Sequence, residues 1–332
     1  MPSPRIDTAT SRTELESRAF VVRMVDYRDS DRIVTLFTEE SGKVSALARG
    51  ARKSRKRYGA ALSPYVLGSV KLKGALGGGR LATLTEIHPM ESFSNIGKDV
   101  VRLALAGYFA ELCRETVPDS HPEPAIFELL LLSHRLLDQG RPTRAVVRAF
   151  ELHLLNHLGL CPQLGECGGW APQEPCGKTL DLPTPEQLLN GTLFESEKEQ
   201  PGKTTEEASE EASEEASEEE RDHGFDLTLG GALCPSCARK VAGKTRRLSA
   251  RSLGFMHLLG TEDLQTLSSS GVELPPRVNH QIRQALGPAL VHLAGKPLKS
   301  LTFIDKLRRW EAPTRSMPQR REGSEAHQET PS

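Results

Sequence analysis

Apolar and polar residues alternate with a period of two along the first part of the chain, as β-strands require. The alternating runs, separated by turn residues, cover residues 20–25, 33–37, 44–48, 66–72 and 81–87. This pattern predicts about five short strands within residues 18–92. Five strands of this length fit a small closed barrel, which leaves no strand edge exposed.

From about residue 98 the apolar period becomes that of a helix. The helical runs cover residues 101–113, 126–137, 147–158, 249–259, 277–294 and 298–310. They predict an all-α domain in two parts, residues 93–160 and 241–312. Between the two parts lies a Cys-rich insertion over residues 161–240. Together with the barrel, these elements predict an α+β fold.

Three segments have the composition of disordered chain: an N-terminal mobile arm over 1–17, an acidic insertion over 195–222 and a tail over 313–332. The acidic insertion holds 13 Asp/Glu against 3 Lys/Arg, and it repeats Glu-Glu-Ala-Ser, which places Glu on Glu at i,i+4. Because the chain as a whole has a net charge of −1, the remainder carries +9. We interpret the insertion as a disordered linker. The alternative is a tract that folds back on a basic surface and competes there with DNA.

The highest density of positive charge lies at residues 49–57, between two predicted strands. Six of these nine residues are cationic and none is acidic: Arg49, Arg52, Lys53, Arg55, Lys56 and Arg57. Such a cluster repels itself unless a polyanion neutralises it, and a phosphate backbone is the commonest one. The alternatives are a solvated loop and a nuclear-localisation run. Candidate extensions of the same surface are Lys71, Lys73 and Arg80.

Aromatic side chains make up only 5% of the chain, which limits base stacking. The candidates for stacking are Tyr27, Phe37, Tyr58 and Tyr65, of which Phe37 sits in a core pattern. We therefore expect binding that is mostly electrostatic, weakly sequence-selective and steeply dependent on salt.

The cysteines suggest a metal site. Cys234 and Cys237 form a CxxC pair that could chelate one ion in tetrahedral geometry, and the further ligands would come from Cys167 with Cys176 or Cys161. Trp170 stands where a second CxxC would place its cysteine, so the pairing is incomplete as written. A structural zinc, a degenerate site and a redox dithiol all remain open.

The sequence lacks the motifs that would indicate a membrane protein, a nucleotide-binding protein or an enzyme. No apolar run of about 18 residues and no apolar signal core is present, so we expect a soluble cytosolic protein without a membrane partner. Gly243-Lys244-Thr245 resembles the end of a phosphate-binding loop, but its first glycine is replaced by Ala238, so no nucleotide cofactor is expected. No nucleophile elbow or carboxylate pair is recognisable, and we expect a protein that is not an enzyme.

Several motifs in order resemble the RecO family of bacterial recombinational repair proteins. The stretch VVRMVDYRDSDRIVTLFTEESGKVSALARGARKSRKR resembles that family's N-terminal domain. FELHLLNHLGLCPQLGECGGW resembles its Phe-Glu helix and the entry to its zinc module, and ALCPSC and HLAGKPLKSLTFIDKL resemble its second Cys pair and closing helix. The chain departs from the family's pattern at Trp170 and in the acidic insertion.

The resemblance implies an OB-fold barrel, a helical domain and, in many members of the family, a zinc-binding module. The candidate metal ligands in this chain are Cys167, Cys176, Cys234 and Cys237. It also implies binding of single- and double-stranded DNA, annealing of complementary strands, partnership with RecR and the single-stranded DNA-binding protein SSB, and help in loading RecA. This predicts a repair mediator of the RecF pathway, associated with the nucleoid. The alternatives are an RNA-binding OB-fold protein and an enzyme with a zinc or thiol site.

Overall fold

The computed structural model describes residues 14–54, 58–63, 65–74, 80–140, 144–170, 176–189, 223–241 and 245–311. Side chains are described over these ranges except at residue 60 and at 308–311. The acidic insertion, the tail and most of the predicted arm lie outside the described residues. No helix in the described part of the chain is long and apolar enough to span a bilayer.

Five strands form the N-terminal domain: β1 (Glu14–Tyr27), β2 (Asp31–Thr38), β3 (Gly42–Ala48), β4 (Val66–Lys73) and β5 (Ala82–Ser92). They close into a barrel in the order β1-β2-β3-β5-β4, and β4 pairs back with β1. All pairs are antiparallel except β3 with β5. This is the topology of an OB-fold, and the α+β class with an N-terminal barrel is confirmed.

The barrel interior contains the alternate residues that the period of two selects. Val34, Leu36, Ala46, Val70 and Leu72 are completely buried there. The barrel begins earlier than the sequence indicates, because β1 starts at Glu14, within the predicted mobile arm of residues 1–17. Residues 14–20 pair with β4, and the buried side chain of Leu15 extends the core to this end of the strand.

Helices form the second domain: α1 (Val100–Thr116), α2 (Pro124–Asp138), α3 (Arg144–His157), α6 (Ala250–Thr261), α7 (Leu264–Ser269), α8 (Pro276–Ala294) and α9 (Lys299–Glu311). Asp99 caps the start of helix α1, and its Oδ1 accepts hydrogen bonds from the backbone N–H groups of Val101 and Arg102 at 2.8 and 3.0 Å. The apolar faces of these helices share one core around Phe109 and Phe150, whose rings are 4.2 Å apart.

Between the two groups of helices lies the cysteine module, residues 161–248. It contains α4 (Pro185–Leu189), β6 (His223–Asp226), β7 (Gly231–Leu233), α5 (Pro235–Lys240) and β8 (Arg246–Leu248). The three strands form an antiparallel sheet in the order β7-β6-β8. The module therefore runs past the boundary at 240 that the sequence indicates, since β8 completes its sheet.

The barrel is joined to the helical domain at the turn between β2 and β3. Lys43 Nζ donates to the carbonyl of Arg114 at 2.7 Å and pairs with Asp119 at 3.0 Å. The N–H of Ser120 donates to the Lys43 carbonyl at 3.0 Å. A second link runs through Arg18 of β1, which pairs with Glu39 in the barrel and with Glu128 on α2. These contacts fix the orientation of the barrel on the helices.

Candidate metal centre and nucleic-acid interface

Four cysteines from two segments of the chain meet in the cysteine module. The Sγ atoms of Cys167, Cys176, Cys234 and Cys237 all lie within 4.8 Å of one another. Four thiolates at about 2.3 Å from a tetrahedral zinc are about 3.8 Å apart, so small side-chain shifts would complete such a site. Cys161, the alternative ligand, is exposed and outside the cluster.

Hydrogen bonds fold the first cysteine segment back on itself and tie it to the second. The N–H of Cys167 donates to the carbonyl of Lys178 at 2.9 Å, and the N–H of Gly177 donates back to the carbonyl of Cys167 at 3.1 Å. Across the site, the N–H of Cys234 donates to Cys167 Sγ at 3.1 Å. Cys237 is held by α5, which begins at the residue after Cys234. The thiols are thus brought together by the backbone.

Burial and neighbouring hydrogen bonds shift the pKa values of the clustered thiols in opposite directions. Three of the four cysteines are buried, and burial raises the pKa of the Cys167 thiol. Burial also acts to raise the pKa of Cys234, but hydrogen bonds from the Cys237 N–H and the neighbouring thiols outweigh it and leave that pKa lowered. The donor set fits a metal, because four sulfur ligands fill a tetrahedral shell and leave no position open for water. This arrangement is typical of a structural site rather than a catalytic one.

Trp170 occupies the position of the missing CxxC cysteine, and its side chain has a different role. The ammonium of Lys240 lies 5.3 Å from the centre of the half-buried Trp170 ring. This contact ties the first cysteine segment to α5. The fourth sulfur of the cluster comes from Cys176 instead, nine positions after Cys167.

The strand registers place most of the predicted nucleic-acid contacts at one end of the barrel. Arg32 at the start of β2 is paired with Ala48 at the end of β3, and Leu47 is paired with Thr83 at the start of β5. Thr83 is paired with Lys73 at the end of β4. The β1–β2 turn, the start of the basic loop (residues 49–57) and the ends of the β4–β5 connection therefore share one rim of the barrel.

The start of the basic loop is docked on the β1–β2 turn. The N–H of Gly50 donates to Asp31 Oδ1 at 2.8 Å, and the N–H of Arg52 donates to the carbonyl of Ser30 at 3.0 Å. The hydrogen bond from Gly50 is the main reason that the pKa of Asp31 is lowered. The local salt links that the acidic residues of this turn suggest are present, since Asp26 pairs with Arg32 at 2.9 Å and with Arg52 at 3.5 Å.

The predicted cationic residues differ in how far carboxylates already balance them. Lys71 pairs with Glu86 and Lys73 with Glu14, each at 3.5 Å. Arg49, Lys53 and Arg80 are exposed and form no ion pair with any residue that the structure describes. Arg55, Lys56 and Arg57 lie outside the described residues.

Two of the four aromatic candidates are excluded as stacking platforms by their burial. Tyr58 and Phe37 are both in the core, at 3% and 0% exposure. Tyr65 is half-buried against the helical domain. Tyr27 remains, because it is 38% exposed and the guanidinium of Arg28 lies 5.1 Å from its ring centre. The sequence did not indicate Arg28 as a candidate contact for nucleic acid. Its place at the rim depends on the geometry of the β1–β2 turn, where its own φ is +53°.

Comparisons with known proteins agree with this architecture. A family model described as "Recombination protein O N terminal" matches residues 12–93, and one described as "Recombination protein O C terminal" matches residues 97–184. A curated protein named "DNA repair protein RecO" from Anaeromyxobacter sp. (strain K) is 36% identical over 287 residues, 86% of this chain and 94% of the relative. Proteins of the same name from Symbiobacterium thermophilum and Myxococcus xanthus are 32% and 30% identical, over 87% and 86% of this chain and 95% of each relative.

Proposed function

The chain belongs to the RecO family of DNA repair proteins, and from that premise we propose that it binds DNA at the rim of its barrel and anneals complementary strands. The observation that carries the proposal is the group of exposed cations at the rim. There the exposed Arg49 and Lys53, with Arg52 beside them, lie next to Tyr27 and Arg28. Positive charge at this surface screens the repulsion between two phosphate backbones.

Annealing of this kind needs no covalent chemistry. Contacts to phosphate carry little sequence information, so two strands held loosely can search for their register. The single exposed aromatic at the rim supplies little stacking energy. The family relationship supports the further proposals that the protein works with RecR and with SSB-coated strands, helps to load RecA, and acts at the chromosome in the cytoplasm.

For the cysteine module we propose one structural Zn²⁺, held by Cys167, Cys176, Cys234 and Cys237. When bound, the ion supplies charge balance for the thiolates and a cross-link between the two segments. It is not part of the annealing step.

The test replaces Arg49, Arg52 and Lys53 by Gln and measures affinity for a labelled single strand across a salt series. Each lost phosphate contact should reduce the salt slope by roughly 0.7, so the slope should fall by about 2 and annealing of complementary strands in the presence of SSB should slow. The matched control replaces three exposed lysines of the helical domain by Gln: Lys98, Lys299 and Lys306. An unchanged slope in the rim variant would remove the rim as the binding site, and preference for RNA in a competition assay would overturn the choice of DNA.

A further inference from the structure

A second group of cations lies on the cysteine module, on a different domain from the rim. We define the module patch as Arg239 and Lys240 on α5 and Arg247 on β8. All three residues are exposed. Resting on the proposed function, we infer that the module patch holds the phosphate backbone of a second DNA strand while the rim holds the first.

The geometry of the small sheet brings the three cations to one face. Arg247 is paired in register with Gly224 of β6. Residues in register on neighbouring strands project from the same face of a sheet. At Gly224 that face is covered by α5, since a Cβ added to this glycine would lie 2.8 Å from the Cβ of Ala238. Arg239 and Lys240 follow Ala238 directly, so Arg247 lies on the same side of the sheet as their helix.

No carboxylate in the described part of the chain balances the charge of the module patch. Within the described ranges, neither arginine of the patch forms an ion pair, and Lys240 contacts the Trp170 ring. At the rim, Arg52, Lys71 and Lys73 each have a carboxylate partner. The other predicted cations of the rim that the structure describes are unpaired, as those of the module patch are. Cations close together without counter-charges repel one another, and this repulsion is relieved when a polyanion binds. Arg239 and Lys240 lie at the C-terminal end of α5, where the helix dipole stabilises positive charge. Arg247 lies on a strand, so the helix dipole does not explain its presence in the patch.

The metal centre and Trp170 hold the patch in place. Helix α5 carries Cys237 and follows Cys234, so two of the four sulfur atoms fix its first turn. Trp170 holds Lys240 over its ring at the other end of the helix. Exposed lysine and arginine side chains lose conformational entropy when they bind phosphate. Because the helix backbone is already held at both ends, no further entropy is lost in ordering it. The patch is therefore a surface arranged before DNA arrives.

A second phosphate site on another domain suits annealing better than a larger first site would. Two strands on one surface compete for the same cations, whereas two surfaces can hold both strands at once. Linking the two sites through one rigid protein turns the meeting of the strands into an intramolecular event with a raised effective concentration.

The test compares three full-length variants with the wild-type protein: Arg239→Gln/Lys240→Gln/Arg247→Gln, the rim variant and the lysine control. The first measurement is binding of one labelled single strand. The second is capture of a second labelled strand by the preformed complex, detected by two-colour fluorescence. The second strand is not complementary to the first, so base pairing makes no contribution. The third is the annealing rate.

If the inference is right, the module variant binds the first strand with at least half of the wild-type affinity but loses most second-strand capture and anneals at least several-fold more slowly. The salt slope of second-strand capture should fall by about 2, at roughly 0.7 per lost contact. Second-strand capture and annealing equal to those of the lysine control would overturn it, and so would an equal loss in first-strand binding, which would mean one continuous site. If the wild-type protein binds no DNA at all, the proposed function itself fails, and this outcome is distinguishable from the others. Normal circular dichroism and zinc content exclude misfolding of the module variant.

Discussion

The turn that joins the barrel to the helices provides a sharp test of the fold through Gly42. Its φ is +64°, and a Cβ at this position would lie 1.8 Å from the carbonyl oxygen of His121. Gly42→Ala therefore carries two costs. The left-handed backbone conformation costs an alanine about 1–2 kcal/mol. The loop around His121 must also retreat by more than 1 Å, because real Cβ contacts essentially never fall below 3.0 Å.

That retreat disrupts the contacts around the turn. The hydrogen bond from Ser120 N–H to the Lys43 carbonyl is worth about 0.5–1.5 kcal/mol. The ion pair between Lys43 and Asp119 adds about 0–1 kcal/mol. We expect Gly42→Ala to lower the free energy of unfolding by about 1.5–4.5 kcal/mol in total.

The matched control is Gly271→Ala. Gly271 has almost the same φ, +68°, but no atom lies within 4 Å of the point that its Cβ would occupy. This variant has only the backbone cost of about 1–2 kcal/mol. The assay is thermal unfolding monitored by circular dichroism. Each kcal/mol of lost stability should lower the melting temperature by about 2–4 °C. If both variants lose the same number of degrees, the close contact between the turn and His121 does not exist in solution and the reasoning fails.

Two further predictions concern the metal centre and the domain interface. Cys234→Ser should release zinc, as measured by elemental analysis, and lower the melting temperature, whereas Cys161→Ser should change neither, because Cys161 lies outside the cluster. His134 of α2 packs against Phe20 of β1, with 5.0 Å between the ring centres, and burial lowers its pKa to about 4. The folded protein therefore stays neutral there while the unfolded chain gains a proton below about pH 6.5. As the pH falls from 6.5 to 4, His134 should lower the free energy of unfolding by about 1.4 kcal/mol per pH unit. His134→Asn should flatten this part of a urea-unfolding pH profile, and an unchanged slope would contradict the assignment.

The barrel and the helices could be predicted because their apolar periods are long and regular. Residues 42–48 alternate between buried and half-buried positions along the whole of β3, and residues 126–137 repeat at helical spacing over three turns. The start of β1 was harder to see, since Glu14 and Glu16 on its outer face give it the composition of a polar arm. Its pairing with β4 depends on a strand far along the chain, which no local pattern reveals.

The candidate sites were predictable by residue type but not by arrangement. The four cysteines of the cluster were all candidates, and the folded module shows that Cys176 rather than Cys161 lies with the other three. The small sheet was not predicted, because strands of three and four residues are too short to show a period. The cysteine segment approaches the sheet closely at Gly231, where an added Cβ would lie 2.4 Å from the Gln163 carbonyl oxygen, and no local pattern predicts this contact.

The two sheets of the molecule differ in whether they have strand edges that could pair with another molecule. The closed barrel offers no free strand edge, but β7 and β8 are the two edges of the small sheet. On β7 the cysteine segment covers the edge, since Gln163 exchanges hydrogen bonds of 2.8 Å with Gly230 and Ala232. On β8 the edge carries the exposed Arg246 and Arg247, and charge on an edge strand discourages pairing with another molecule. Removing the proposed zinc would loosen the segment that covers β7, so a chelated preparation should aggregate through this edge before the barrel unfolds.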